Sequence, residues 1–194
     1  MKGDKLFQKY YEPKLIAEGI DNIVLRTYTH IKGLATDDPD NSTALIFTPR
    51  REVDERLDAI FERSGQDCGM AVTSIVSVKT EQKYLFLLDC TLTVSEEHER
   101  ELIDGVYGAM DHLPALRRGM LLRTIHSYHL IGFTPLDKEE WQQHMAQALL
   151  LHSSKREAIG DARYIGHSLE RGYGSLRISD YQNKPTPDFI CYFT

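Results

Sequence analysis

Residues 83–94, KYLFLLDCTLTV, constrain the fold of this chain more than any other stretch. The run has the apolar density of a strand in a packed interior, and strand side chains alternate between two faces. Leu85, Leu87, Asp89 and Thr91 therefore share one face, and Tyr84, Phe86, Leu88 and Cys90 the other. Asp89 interrupts its row. A buried carboxylate without a partner is costly enough to be neutralised, so Asp89 implies a partner, a metal or an open cleft at that point of the sheet.

The rest of the chain supplies neighbours for that strand. Further strand patterns fall at residues 22–28, 44–47, 71–78, 120–133, 164–169, 175–179 and 189–193, and residues 30–42, with Gly33, Pro39 and several aspartates, read as a long loop. Three helices are expected between the strands. The first has Thr48 as N-cap, Pro49 behind it and an apolar stripe of Val53, Leu57, Ile60 and Phe61. The second starts at Ser95, gathers Glu96, Glu97 and Glu99 at its positive end and buries Leu102, Ile103, Val106 and Met110. The third opens with Asp137 and Glu140 in capping-box spacing and turns Trp141, Met145, Ala148 and Leu149 inward. Strands and helices in this order predict an α/β or α+β plan on one sheet.

Length and charge narrow the function classes. At 194 residues the chain is long enough for one well-buried core, so a single domain over residues 1–194 is expected. No apolar run approaches the ~18 residues of a membrane span, and the opening MKGDKLFQKYYEPK lacks the apolar segment of a signal peptide, so the expected compartment is the cytoplasm and no membrane partner is expected. Cys68, Cys90 and Cys191 form no CxxC pair, which argues for reduced thiols and against a cysteine zinc site. The net charge of -6 argues against adhesion to nucleic acid through bulk positive charge but leaves room for a local basic groove, and Arg163, Arg171, Arg177 and Lys184 gather near the C-terminus.

The stretch HSYHLIGF, residues 126–133, places a second chemical group beside the first. Alternation puts Ile125, Ser127, His129 and Ile131 on one face and Thr124, His126, Tyr128 and Leu130 on the other. With helices covering the face opposite Asp89, Ser127 and His129 become companions of Asp89 on the open face. His126 is then expected in the helix-covered core or at its edge.

The order LFLLDCTL, helix, SYH, helix, then GDARYIGHSLERGYGSLRIS resembles the catalytic core of the archaeo-eukaryotic primase, or primase-polymerase, family. That family is defined by an hDhD strand, an S-x-H strand and a later hydrophobic-acid motif, here matched by Asp89, by Ser127-Tyr128-His129 and by Asp161. The resemblance covers roughly residues 44–194, with residues 1–43 as an N-terminal strand-and-loop extension. It implies an α+β, RRM-like core with a largely antiparallel or mixed sheet and helices packed on one face. It further implies nucleotidyl transfer with nucleoside triphosphates and nucleic acid. Asp89 and Asp161 would bind Mg²⁺ or Mn²⁺, Ser127 and His129 would sit at the nucleotide phosphates, and Arg177, with Lys184 behind it, would contact nucleotide or template. The catalytic set is then Asp89, His129 and Asp161, working with replication or other nucleic-acid-processing proteins supplied in trans.

One departure bears on catalysis. Thr91 stands where polymerase-type members carry a second acid, and two-metal transfer needs carboxylates around cations ~3.5–4 Å apart. A neutral hydroxyl bridges two cations poorly. A binding-only protein of the same fold is therefore a second expectation, and a metal-independent two-histidine phosphoesterase, prompted by His152-Ser153-Ser154, a third. No G-x-S-x-G elbow supports a serine hydrolase. Structural alternatives remain at each position: Asp89 paired with Arg123 or Arg177, residues 160–177 as a hairpin turning at Gly172 and Gly174, and His167 as a turn residue.

Overall fold

The computed structural model describes residues 3–28, 42–49 and 69–194. Its strands are β1 (Asn22–Tyr28), β2 (Ser42–Phe47), β3 (Gly69–Val78), β4 (Glu81–Asp89), β5 (Gly119–Arg123), β6 (Tyr128–Leu136), β7 (Ser175–Arg177) and β8 (Asp188–Tyr192). Seven of them run in the order β2-β1-β3-β4-β6-β5-β8, β7 pairs with β3, and every pairing is antiparallel. The helices are α1 (Gly3–Leu6), α2 (Glu12–Ala17), α3 (Glu96–Ala109), α4 (Lys138–Gln147) and α5 (Ala162–Arg171). A π-helical turn, Phe7–Tyr11, joins α1 to α2. The architecture is α+β. None of the described helices is long and apolar enough to cross a membrane.

Two of the three expected helix starts are present. Ser95 Oγ accepts the His98 N–H at 3.0 Å at the head of α3, and Glu140 accepts the Asp137 N–H at 3.0 Å in a reciprocal capping box at α4. These helices close one face of the sheet, where Trp141, Met145, Leu102 and Val106 join Phe86 and Leu88 in one fully buried cluster. The helix expected after Thr48 falls on residues 50–68, outside the described residues, as does most of the loop expected at 30–42.

Four expectations change. The N-terminal extension is not only strand and loop: residues 3–17 are helical, and Leu6, Phe7, Tyr11 and Leu15 are fully buried against Leu85, Leu87, Ile131 and Phe133. The face bearing Asp89 is thus covered over its apolar part. Residues 120–133 are a hairpin rather than one strand, because the Thr124 hydroxyl accepts the N–H groups of His126 and Ser127 and turns the chain without glycine or proline. The expected strand 164–169 is α5: Asp161 caps it, and Gly172, at φ 80, ends it in the left-handed conformation that glycine adopts without strain. The strand of residues 83–94 stops at Asp89, after which Cys90 bridges to Gly160.

One irregularity of the sheet creates the site. The edge of β3 that faces β4 is shared, pairing with β4 through Ile75–Val78 and with β7 through Ala71–Thr73. Ser74 lies at the fork, donating its N–H to the Gly174 carbonyl at 2.9 Å while its hydroxyl accepts the Gly174 N–H at 3.0 Å. A Cβ on Gly174 would lie 2.8 Å from the Tyr164 hydroxyl, so the approach of β7 requires glycine there. The sheet opens at this fork, beside the end of β4 that carries Asp89.

Candidate functional site

Asp89 ends β4 directly opposite His129 on β6. Its Oδ1 lies 3.8 Å from His129 Nε2 and accepts the Ser127 hydroxyl at 3.3 Å. The chain then pairs outward: the Asp161 N–H donates to the Asp89 carbonyl at 2.9 Å, which sets the second acid beside the first. Asp161 is the N-cap of α5, and its Oδ1 accepts the N–H groups of Arg163 and Tyr164 at 2.8 and 3.1 Å. Among the described residues, no hydrogen bond uses its Oδ2.

Burial and the neighbouring Asp161 charge push the Asp89 carboxyl up to about 6, against the opposing hydrogen bond from Ser127 and the more distant Lys184 charge. His129 moves the other way. Burial, with a smaller contribution from the Arg177 charge, holds its imidazole down to about 3, so it is neutral at pH 7. At 3.8 Å with a neutral ring, the His129–Asp89 contact is neither a hydrogen bond nor an ion pair. His129 Nδ1 is buried without a hydrogen-bond partner among the described residues. Two acids tied together through their backbones at the half-buried end of β4 are an arrangement that a cation relieves.

These groups line a cleft of about 510 Å³, a volume in the range of small-molecule sites. Four basic side chains, Arg163, Arg171, Arg177 and Lys184, border it against the two acids Asp89 and Asp161, so its charge balance is opposite in sign to the chain's net -6. Arg177 is held by the loop after β7, its Nη1 donating to the carbonyls of Ser179 at 2.5 Å and Pro185 at 2.6 Å. That loop also brings Lys184 to the cleft. On α5, Arg163, His167 and Arg171 are spaced four apart and share a face, which aligns them along one wall.

The structure brings together Asp89, Ser127, His129, Asp161, Arg177 and Lys184. The alternative partner Arg123 lies instead near Glu99 at 3.8 Å and Asp188 at 3.7 Å. His126 is exposed in the hairpin turn and borders the cleft, rather than lying in the helix-covered core or at its edge, because the turn breaks strand alternation before it. His167 is helical, and His152 is exposed and bonded through Nδ1 to the Leu150 carbonyl, away from the cleft lining. Tyr28 and Tyr181, which pack edge to face at 5.5 Å and border the cleft, carried no sequence signal, since both arrive through long-range pairing. Thr91 does not line the cleft; its hydroxyl donates to the Ala158 carbonyl.

A family model described as Archaeo-eukaryotic primase 1D-like matches residues 50–187, a span that contains every cleft residue named above except Tyr28. No curated protein matches the chain.

Proposed function

The chain belongs to the Archaeo-eukaryotic primase 1D-like family, and on that premise we propose that its cleft binds a nucleoside triphosphate with a divalent cation and transfers the nucleotide to a nucleic acid. Divalent metals are typical of the family, and nucleotide or nucleic-acid binding goes with it. The observation that carries the reading is that Asp89 and Asp161 are set side by side, half-buried, in a cleft otherwise bordered by basic side chains.

The donor set suits one cation of the Mg²⁺ or Mn²⁺ kind. Asp89 and Asp161 would hold it through carboxylate oxygens, and when bound it neutralises phosphate charge and orients the triphosphate. The chain's own groups do the remainder. His129, neutral and facing the cleft through Nε2, meets a phosphate oxygen, and an anion placed there raises its proton affinity and makes it a donor. Arg177, with Nη1 fixed on loop carbonyls, presents its other guanidinium nitrogens in a set direction, which suits paired contact with phosphate. Ser127 keeps Asp89 oriented, and Lys184 adds positive charge at the mouth.

Thr91 favours a second reading, nucleotide binding without transfer. Its hydroxyl is committed to the Ala158 carbonyl and contributes nothing to the cleft, which leaves two carboxylates for what polymerase-type members do with three. Primer extension and de novo priming with Mg²⁺ and with Mn²⁺, on the parent and Asp89→Asn, separate the two. Transfer predicts product in the parent, more with Mn²⁺ because its coordination is less demanding and it accepts mixed oxygen and imidazole ligands, and almost none in Asp89→Asn. No product with either metal, alongside calorimetric nucleotide binding, leaves the binding-only reading. Equal product in the parent and Asp89→Asn removes Asp89 from the mechanism.

A further inference from the structure

A second group of ligand-bearing side chains lies outside the cleft, where the first turns of α3 meet the hairpin of residues 151–159. The hairpin is held by Ile159 N–H to the Leu151 carbonyl and Ser153 N–H to the Glu157 carbonyl, at 2.9 and 2.8 Å. It packs close to α3 at Gly105, where a Cβ would lie 2.8 Å from the His152 carbonyl. From α3 come Glu97, His98 and Glu101; from the hairpin come Lys155 and Glu157. One ligand atom from each of His98, Glu101 and Glu157 lies within 4.8 Å of the other two.

The imidazole is oriented as a ligand. His98 Nδ1 lies 2.8 Å from the Thr93 carbonyl oxygen, which can only accept, so Nδ1 carries a proton and Nε2 is the nitrogen that can offer a lone pair to a metal. Nε2 faces Glu157 Oε2 at 3.6 Å. A proton or a metal between them reconciles the two atoms. Glu101 supplies an independent pointer to a ligand. Its side chain is only 8% exposed, its Oε1 lies 2.7 Å from Lys155 Nζ, and its buried Oε2 has no hydrogen-bond partner among the described residues. Lys155 also pairs with Glu97. Three carboxylates are therefore gathered around one ammonium and one imidazole, an acid-rich cluster that a cation would relieve.

We propose that His98 Nε2, Glu101 Oε2 and Glu157 Oε2 form a zinc site that clamps α3 to the 151–159 hairpin. One imidazole and two carboxylates with an open fourth position suit Zn²⁺ better than Mg²⁺, which prefers oxygen ligands and retains its water. The Thr93 carbonyl is the outer partner that fixes the ring. The consequence reaches the cleft, because the hairpin runs directly into Gly160 and Asp161, which pair with Cys90 and Asp89. A filled site would hold Asp161 in register without contributing to the cleft itself.

The test is calorimetric titration of Zn²⁺ into chelator-stripped protein carrying Asp89→Asn, a background that removes a cleft carboxylate and so makes the result independent of the function proposed above. One-to-one binding is expected. His98→Ala should weaken it by at least about tenfold, and Glu157→Gln, at an exposed position that leaves folding intact, should weaken it comparably. Lys155→Met should tighten it several-fold by removing the competing ammonium, a gain that a purely structural ion-pair network would not produce. Should His98→Ala fold poorly by circular dichroism, Glu157→Gln and Lys155→Met decide the matter. Absence of one-to-one binding in the Asp89→Asn protein, or unchanged affinity in Glu157→Gln together with Lys155→Met, overturns the site.

Discussion

On one face of the sheet, Trp141, Leu102 and Val106 close over Phe86 and Leu88 with no exposed surface on any of the five, whereas on the other the row Leu85, Leu87 runs out into Asp89, a third of whose side chain meets solvent. The two rows belong to the same strand. The sealed row gains stability from every side chain, since each removes apolar surface from water. The broken row does so only as far as the helices of residues 3–17 reach. Beyond them it ends in groups whose burial opposes their charged forms: Asp89 raised to about 6 and His129 depressed to about 3. A site of this kind lowers stability locally while the sealed face supports the fold.

The largest effect should come from the sealed face. Trp141→Ala should cost about 3–5 kcal/mol in urea denaturation, because the indole is fully buried and stacks on Tyr84 with ring centroids 5.4 Å apart. A loss below about 1 kcal/mol would show that this face is less tightly packed than described. Leu15→Ala should follow at about 2–5 kcal/mol, which tests whether residues 3–17 belong to the second core. If that substitution is silent, the N-terminal helices are an appendage and the open face is larger.

Smaller effects should appear at the cleft. Arg177→Lys should weaken nucleotide binding by about tenfold, the worth of roughly one charge-assisted hydrogen bond. Unchanged affinity in calorimetry would take Arg177 out of the phosphate contacts. The smallest effect is a pH dependence with a definite sign. The folded protein binds the Asp89 proton more tightly than the unfolded chain does, so this contribution to stability is complete below pH 3.8 and is lost as pH rises through about 6. Asp89→Asn should therefore melt above the parent at pH 8, with the gain shrinking toward pH 4. His129 acts in the opposite sense: its contribution is present above pH 6.5 and lost as pH falls through about 3. Melting curves of Asp89→Asn and parent that stay parallel from pH 4 to 8 would contradict the burial assigned to Asp89.

The pairing of Asp89 with His129 was legible because period-two alternation puts both on one face and the acid breaks an apolar row that nothing else explains. The caps at Ser95 and Asp137 were legible because a hydroxyl or carboxylate ahead of an acidic first turn has few other uses. The turn at residues 124–127 was hidden, since threonine and serine hydroxyls do what glycine or proline usually announces, and His126 was misplaced with it. The helix α5 has the pattern of a strand in the sequence because its stretch is short, flanked by glycines and carries Tyr164 and Ile165 side by side. The helices at residues 3–17 escaped because the π-helical turn shifts the phase between Leu6–Phe7 and Leu15, so no single helical period fits. The positive wall of the cleft required that long-range arrangement: Arg163 and Arg171 line it only because α5 is a helix, and Arg177 and Lys184 only because β7 enters the fork.

Whether Asp89 and Asp161 hold one cation beside a triphosphate is tested most directly by anomalous diffraction from a crystal soaked with Mn²⁺ and a nucleoside triphosphate. The predicted result is a manganese peak bridging the Asp89 and Asp161 carboxylates, with phosphate density reaching His129 Nε2 and the Arg177 guanidinium. A triphosphate bound elsewhere, or bound in the cleft with no manganese between the two acids, would contradict it.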